Sequence, residues 1–146
     1  AGHVLRERGL EHWCLNVGGD VRASGQAEQG RPWRVAVRDP RTPARVAAVI
    51  DAVDLAVATS GTYERGEHLW DLRAARPASA DRVESFTVVG PDLTWADAFA
   101  TAGWVMGRAG LGWVARFEGY GAMAVMADGT RPATEGFLAA MTPVAA

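Results

Sequence analysis

Apolar and polar positions along the chain fall into short segments. Trp33, Val35 and Val37 alternate with Arg34, Ala36 and Arg38, the period-2 pattern of a half-buried strand. Residues 13–17 form an apolar run of strand length. It ends at Gly18-Gly19-Asp20, where two glycines permit a sharp turn or a close backbone approach, and residues 21–24 can continue as strand. Residues 55–59 read as a strand running into Ser60-Gly61-Thr62, residues 68–71 as a short extended piece, and residues 82–90 as a strand around Phe86-Thr87-Val88-Val89. Residues 121–126 are apolar on both faces, which predicts a buried strand, and Asp128-Gly129 signals a turn after it. Residues 45–52 fit helix or strand equally on periodicity. Helices are expected near the start over residues 3–10, stopped by Gly9, and most strongly over 94–106, stopped by Gly107. Two more are expected over 111–117 and over 134–141, the last with Thr134 as its N-cap. Strand follows strand without regular helical crossovers, so the predicted class is α+β, a largely antiparallel sheet packed by helices.

Composition narrows the chemistry. The chain has 146 residues, 49% of them hydrophobic, enough to bury a core. A formal charge of −2 gives no nucleic-acid footprint. All 15 basic residues are Arg, so these residues contain no Walker lysine and no Schiff-base lysine. Cys14 is the one cysteine, which excludes an internal disulfide, a CxxC pair and a cysteine-held iron–sulfur cluster within the chain. His3, His12 and His68 are scattered, against a histidine zinc site.

Four features could carry chemistry. Asp97 and Thr101 stand at i and i+4 of the strongest helix, so their oxygens share one face, a pair of hard ligands suited to Mg²⁺. The same Thr94-x-x-Asp97 spacing also fits a capping box, in which Asp97 serves only the helix end. His68 lies near Asp71; it could act as a general base or a phosphate contact, or be an ordinary surface histidine. The segments Asn16-Val17-Gly18-Gly19-Asp20 and Ala58-Thr59-Ser60-Gly61-Thr62-Tyr63 are glycine-bearing strand ends that can offer backbone N–H groups to a phosphate, or simply turn. Six tryptophans could stack on a flat ligand, although burial is the default for most of them.

Taken in order, Asn16-Val-Gly-Gly-Asp20, Ala58-Thr-Ser-Gly-Thr-Tyr63, His68-x-x-Asp71, Thr87-Val-Val-Gly-Pro91 and Ala96-Asp-Ala-Phe-Ala-Thr101 resemble the ApbE family of FAD:protein FMN transferases, from residue 1 to about Gly129. The resemblance implies an ApbE-like (T-fold-like) α+β fold. It also implies an enzyme that uses Mg²⁺ and FAD, passes FMN to a Thr hydroxyl of an acceptor protein and releases AMP. Some relatives instead hydrolyse FAD to FMN and AMP, and a non-catalytic flavin-binding relative is the third reading. By resemblance, Asp97 and Thr101 ligate Mg²⁺ and His68 stands at the reacting phosphate. Leu69 lines the flavin pocket, while Gly18, Gly19, Asp20, Ser60 and Gly61 shape the nucleotide site. The implied acceptor is a subunit of a membrane redox complex. Two departures accompany the match. Leu72-Arg73-Ala74-Ala75 stands where the family has Pro-Arg-Thr-Gly, and the family's N-terminal FAD-binding half is not represented. Residues 1–146 are therefore expected to be the C-terminal part of a longer flavin transferase domain.

Overall fold

A computed structural model of the chain describes residues 1–42, 44–61 and 82–142. In chain order the elements are α1 (Gly2–Glu7), β1 (Trp13–Val17), β2 (Asp20–Ser24), β3 (Trp33–Arg38), β4 (Val46–Ala52), β5 (Ala56–Gly61) and β6 (Val83–Gly90). They continue with α2 (Leu93–Met106), α3 (Ala109–Val114), β7 (Gly121–Met126) and α4 (Glu135–Ala140). Strands β1-β2-β5-β6-β7 form one sheet and β3-β4 a second, and every strand pair is antiparallel. This is the expected class. Among the described residues no helix is long and apolar enough to cross a membrane.

Strands β5, β6 and β7 of the five-stranded sheet are largely buried on both faces, whereas the edge strand β1 is mostly exposed, and strand alternation sorts the side chains. Ala56, Ala58, Phe86, Val88, Ala122 and Ala124 meet Ala96, Phe99 and Ala100 of α2 and Val114 of α3. Val21, Val57, Val89, Met123 and Val125 face the other way, onto Val37, Ala48 and Ile50 of the small sheet and Phe137 of α4. Strand β7, apolar on both faces in sequence, is buried at all six positions because it serves both cores. A bulge between Val83 and Ser85 adds Glu84 to β6 against a single step in β7, so Val83 joins Phe86 on the helix side.

The ambiguous residues 45–52 resolve as β4, paired along its length with β3. The helix expected over 111–117 is found at Ala109–Val114, and its second residue packs on α2: a Cβ on Gly110 would lie 2.6 Å from the carbonyl oxygen of Gly103. Small residues also bring α2 down onto the sheet. Ala96, Phe99, Ala100 and Gly103, the i, i+3, i+4, i+7 stripe of a packed helix, are its buried positions. A Cβ on Gly103 would lie 2.4 Å from Cε1 of Phe86.

Candidate functional site

The candidate site is built where β5 ends beneath the middle of α2. Helix α2 leaves the sheet after Gly90 and runs back across it, so its midpoint lies over the end of β5 that carries Ser60 and Gly61. Ser60 follows Ala58 on the helix-facing side by strand alternation. Its hydroxyl lies 3.0 Å from the Thr101 hydroxyl. Asp97 stands one turn before Thr101 on α2, beside the buried stripe rather than in it, and is exposed.

The capping alternative for Asp97 is corrected by the structure. The N-cap of α2 is Asp92, in an extended conformation, and its carboxylate accepts a hydrogen bond from the Trp95 amide at 3.2 Å. Thr94 lies inside the first turn. Asp97 therefore has no part in the cap, and its carboxylate makes no hydrogen bond or ion pair with another described residue.

Gly18 and Gly19 form the two-residue turn of the β1–β2 hairpin. Their φ angles of 64° and 103° are the positive pair that such a turn requires, and the Asn16 side chain accepts a bond from the Gly19 amide at 3.1 Å. The register of β2 on β5, Val21 opposite Val57, sets this turn beside residues 59–60, at the same end of the sheet as Ser60 and Gly61. Asp20 links the two: its carboxylate accepts a bond from the Thr59 amide at 3.3 Å. The structure thus brings Gly18, Gly19, Asp20, Ser60, Gly61, Asp97 and Thr101 to one end of the molecule. His68 and Leu69, with Asp71 and the altered Leu72-Arg73-Ala74-Ala75 segment, lie outside the described residues.

Polar contacts not anticipated from sequence lie on the opposite face of β5. The Thr59 and Thr87 hydroxyls meet at 2.9 Å across the β5–β6 pair. Thr87 and Ser85 are almost fully enclosed, and the Ser85 hydroxyl has no hydrogen-bond partner among the described residues. The sequence signal was a hydroxyl residue recurring at every second position of an apolar strand. The tryptophans divide. Trp13 is buried, Trp33, Trp104 and Trp113 are half-buried, and Trp95 is 59% exposed at the rim of a ring cluster with Phe99, Trp113, Phe117 and Tyr120. A groove of about 460 Å³ bounded by Leu111, Tyr120, Thr134 and Glu135 opens at the far end of the sheet and adds nothing to the site.

The donor set fits a hard divalent cation. It holds one carboxylate and one hydroxyl on one helix face, both hard oxygen donors. Mg²⁺ accepts such partial coordination when phosphate oxygens and water complete its shell.

The fold and this site belong to a two-sheet α+β architecture in which one helix lays a carboxylate and a hydroxyl along a glycine-bearing strand end. A model of the ApbE family matches residues 1–124, and the chain belongs to that family. It is 36% identical over 113 residues to the FAD:protein FMN transferase of Vibrio cholerae serotype O1, an alignment covering 71% of this chain and 34% of the relative. It is 31% identical over 149 aligned positions to the FAD:protein FMN transferase of Salmonella typhimurium, covering 96% of this chain and 41% of the relative. Among solved structures, the flavin transferase ApbE from Vibrio cholerae superposes with a TM-score of 0.73 at 27% identity, over 94% of this chain and 47% of that one. The ApbE protein from Thermotoga maritima gives 0.69 at 33% identity, over 90% and 45%. The chain thus spans less than half the length of these relatives.

Proposed function

We propose that this chain supplies the C-terminal, metal-bearing part of an FMN transferase. The whole protein takes FMN from FAD, attaches it to a Thr hydroxyl of an acceptor protein and releases AMP. The observation that supports this reading best is the placement of Asp97 and Thr101. They stand one turn apart over the end of β5, Thr101 is 3.0 Å from Ser60, and the capping duty that would otherwise explain Asp97 is performed by Asp92.

In this reading Asp97 and Thr101 would hold Mg²⁺, Asp97 through an anionic oxygen and Thr101 through a neutral one, and the ion so held would neutralise charge on the pyrophosphate. The Thr hydroxyl of the acceptor attacks the phosphorus on the FMN side, the bridging P–O bond breaks, and AMP departs with the bridging oxygen. The proton of the attacking hydroxyl passes to a base. His68 is the assignment made by resemblance. In this reading the hairpin turn at Gly18-Gly19, held against β5 by Asp20, and the strand end at Ser60-Gly61 form the nucleotide side of the site, and Leu69 is assigned to the flavin pocket by resemblance. The acceptor is proposed to be a subunit of a membrane redox complex, and the remaining FAD contacts to come from an N-terminal half.

The test uses the full gene product with FAD, Mg²⁺ and an acceptor bearing the target Thr. A flavin mass adduct on the acceptor with release of AMP is expected, and Asp97→Asn abolishes both. Free FMN and AMP with no adduct identifies a pyrophosphatase on the same scaffold. Retained flavin with no AMP identifies a binding protein. Either result overturns the transferase assignment.

A further inference from the structure

We infer that Ser60 is a positioning residue for the cation site: it takes the proton of the Thr101 hydroxyl, so that Thr101 presents lone pairs to the metal, and it offers its own proton to an anionic oxygen beside the metal. This rests on the cation reading of Asp97 and Thr101 given above.

A hydroxyl has one proton and two acceptor positions. A threonine within a helix ordinarily donates that proton to the carbonyl four residues back, which for Thr101 is Asp97. Here a second acceptor is at hand. The Ser60 hydroxyl lies 3.0 Å from Thr101 Oγ1, and the distance allows either oxygen to donate. The two directions differ in consequence. If Ser60 donates, one lone pair of Thr101 is occupied, and the Thr101 proton must go to the helix carbonyl or point toward the cation, where it is repelled. If Thr101 donates, both its lone pairs are free for a cation on the Asp97 side. Ser60 then keeps its proton for an acceptor, and the anionic oxygens that complete a Mg²⁺ shell are such acceptors. A cation at Asp97 and Thr101 therefore favours the second direction, which leaves Thr101 both lone pairs and Ser60 its proton.

The backbone holds Ser60 to this task. It lies within β5, opposite Phe86 in the β5–β6 register, and Phe86 is fully enclosed beneath α2. Ser60 is half-buried, so water competes for its hydroxyl only in part. Groups that orient a metal ligand in this way are worth about 10- to 100-fold in metal affinity.

The test is divalent-cation binding without turnover, using Mn²⁺ as an EPR-visible probe and Mg²⁺ as competitor, on the full gene product. Ser60→Ala is expected to weaken Mn²⁺ binding by about tenfold or more. Ser60→Cys, which keeps the volume but offers only a weak acceptor, is expected to do the same, so a packing defect in Ser60→Ala does not decide the matter. Ser60→Thr, which keeps the hydroxyl, restores binding. In assays of AMP release, Ser60→Ala raises the Mg²⁺ concentration needed for half-maximal rate more than it lowers the rate at saturating Mg²⁺, a split that a purely structural role does not produce. Wild-type Mn²⁺ affinity in Ser60→Ala and Ser60→Cys, while Asp97→Asn and Thr101→Val lose binding, overturns the role of Ser60 and leaves the cation site standing. Unchanged binding in Asp97→Asn and Thr101→Val overturns the cation site itself.

Discussion

The close seating of α2 on the sheet is a quantitative claim, and Gly103→Ala tests it. A Cβ at this position would lie 2.4, 2.6 and 2.8 Å from three ring carbons of Phe86, whose side chain is fully enclosed. At these distances the enclosed ring or the helix must shift to admit the methyl group. Overpacking of this kind costs about 1–3 kcal/mol, and three simultaneous contacts place this site near the upper end. Against it stands the helix preference of Ala over Gly, about 1 kcal/mol. The net expected loss is about 2 kcal/mol, a fall of roughly 4–8 °C in unfolding midpoint for a chain of this size. Gly112→Ala is the internal control. It lies in α3 with nothing within 4 Å of its added Cβ, so only the helix preference acts. It is expected to raise stability by up to about 1 kcal/mol. Because the propensity gain is common to both substitutions, their difference isolates the contact with Phe86. Urea or thermal unfolding followed by circular dichroism measures it. Equal midpoints for the two variants would refute the packing and, with it, the fixed distance at which α2 holds Thr101 over Ser60.

Further outcomes follow from the same geometry. Asp92→Ala removes the α2 N-cap and is expected to cost about 1 kcal/mol of stability with Mn²⁺ affinity unchanged, whereas Asp97→Asn abolishes Mn²⁺ binding with the unfolding midpoint nearly unchanged; paired melting and EPR titrations read both. Arg131→Met removes the 2.7 Å charged bond to Asp39, which is 5% exposed, and is expected to destabilise by about 1–3 kcal/mol in denaturant titrations. The Asp39 carboxyl is held below the usual carboxylate range chiefly by the Arg41 amide, with burial opposing and the Arg131 charge assisting. A folded value below the unfolded one, about 3.9, means this stabilisation is complete above that pH and is lost as pH falls through the folded value. Asp39→Asn is therefore expected to flatten the loss of stability below about pH 4 in acid titrations.

Much of the fold was legible because the core pattern is locally consistent. The alternation at Trp33, Val35 and Val37 is β3, the two-faced apolar run is β7, and Thr134 caps α4, its hydroxyl 3.4 Å from the Phe137 amide. What was not legible depended on partners distant in sequence. Residues 45–52 carry apolar side chains at both periods, and only pairing with β3 makes them a strand. The close seating of α3 on α2 through Gly110 and Gly103 is a tertiary contact that glycine spacing alone cannot announce. The choice between Asp92 and Thr94 as cap turns on which backbone is extended, since both residue types are good caps. At the candidate site, helical spacing put Asp97 and Thr101 on one face of α2, and the hairpin and strand-end glycines stood out by their resemblance to the family motifs. That Ser60 bonds Thr101 rather than standing alone was not legible, because the register of α2 over β5 is a property of packing. Gly18 and Gly19 fit either a turn or a close backbone approach in sequence; their φ angles of 64° and 103° show the turn.

The central claim is that this chain carries the metal-bearing part of an FMN transferase. The most direct measurement is the intact mass of an acceptor protein after incubation with the full gene product, FAD and Mg²⁺, alongside the Vibrio cholerae FAD:protein FMN transferase acting on the same acceptor. One FMN adduct per target Thr is expected, with AMP released in equal amount and both lost in Asp97→Asn. An unlabelled acceptor with FAD intact, while the Vibrio enzyme labels it fully, would contradict the account.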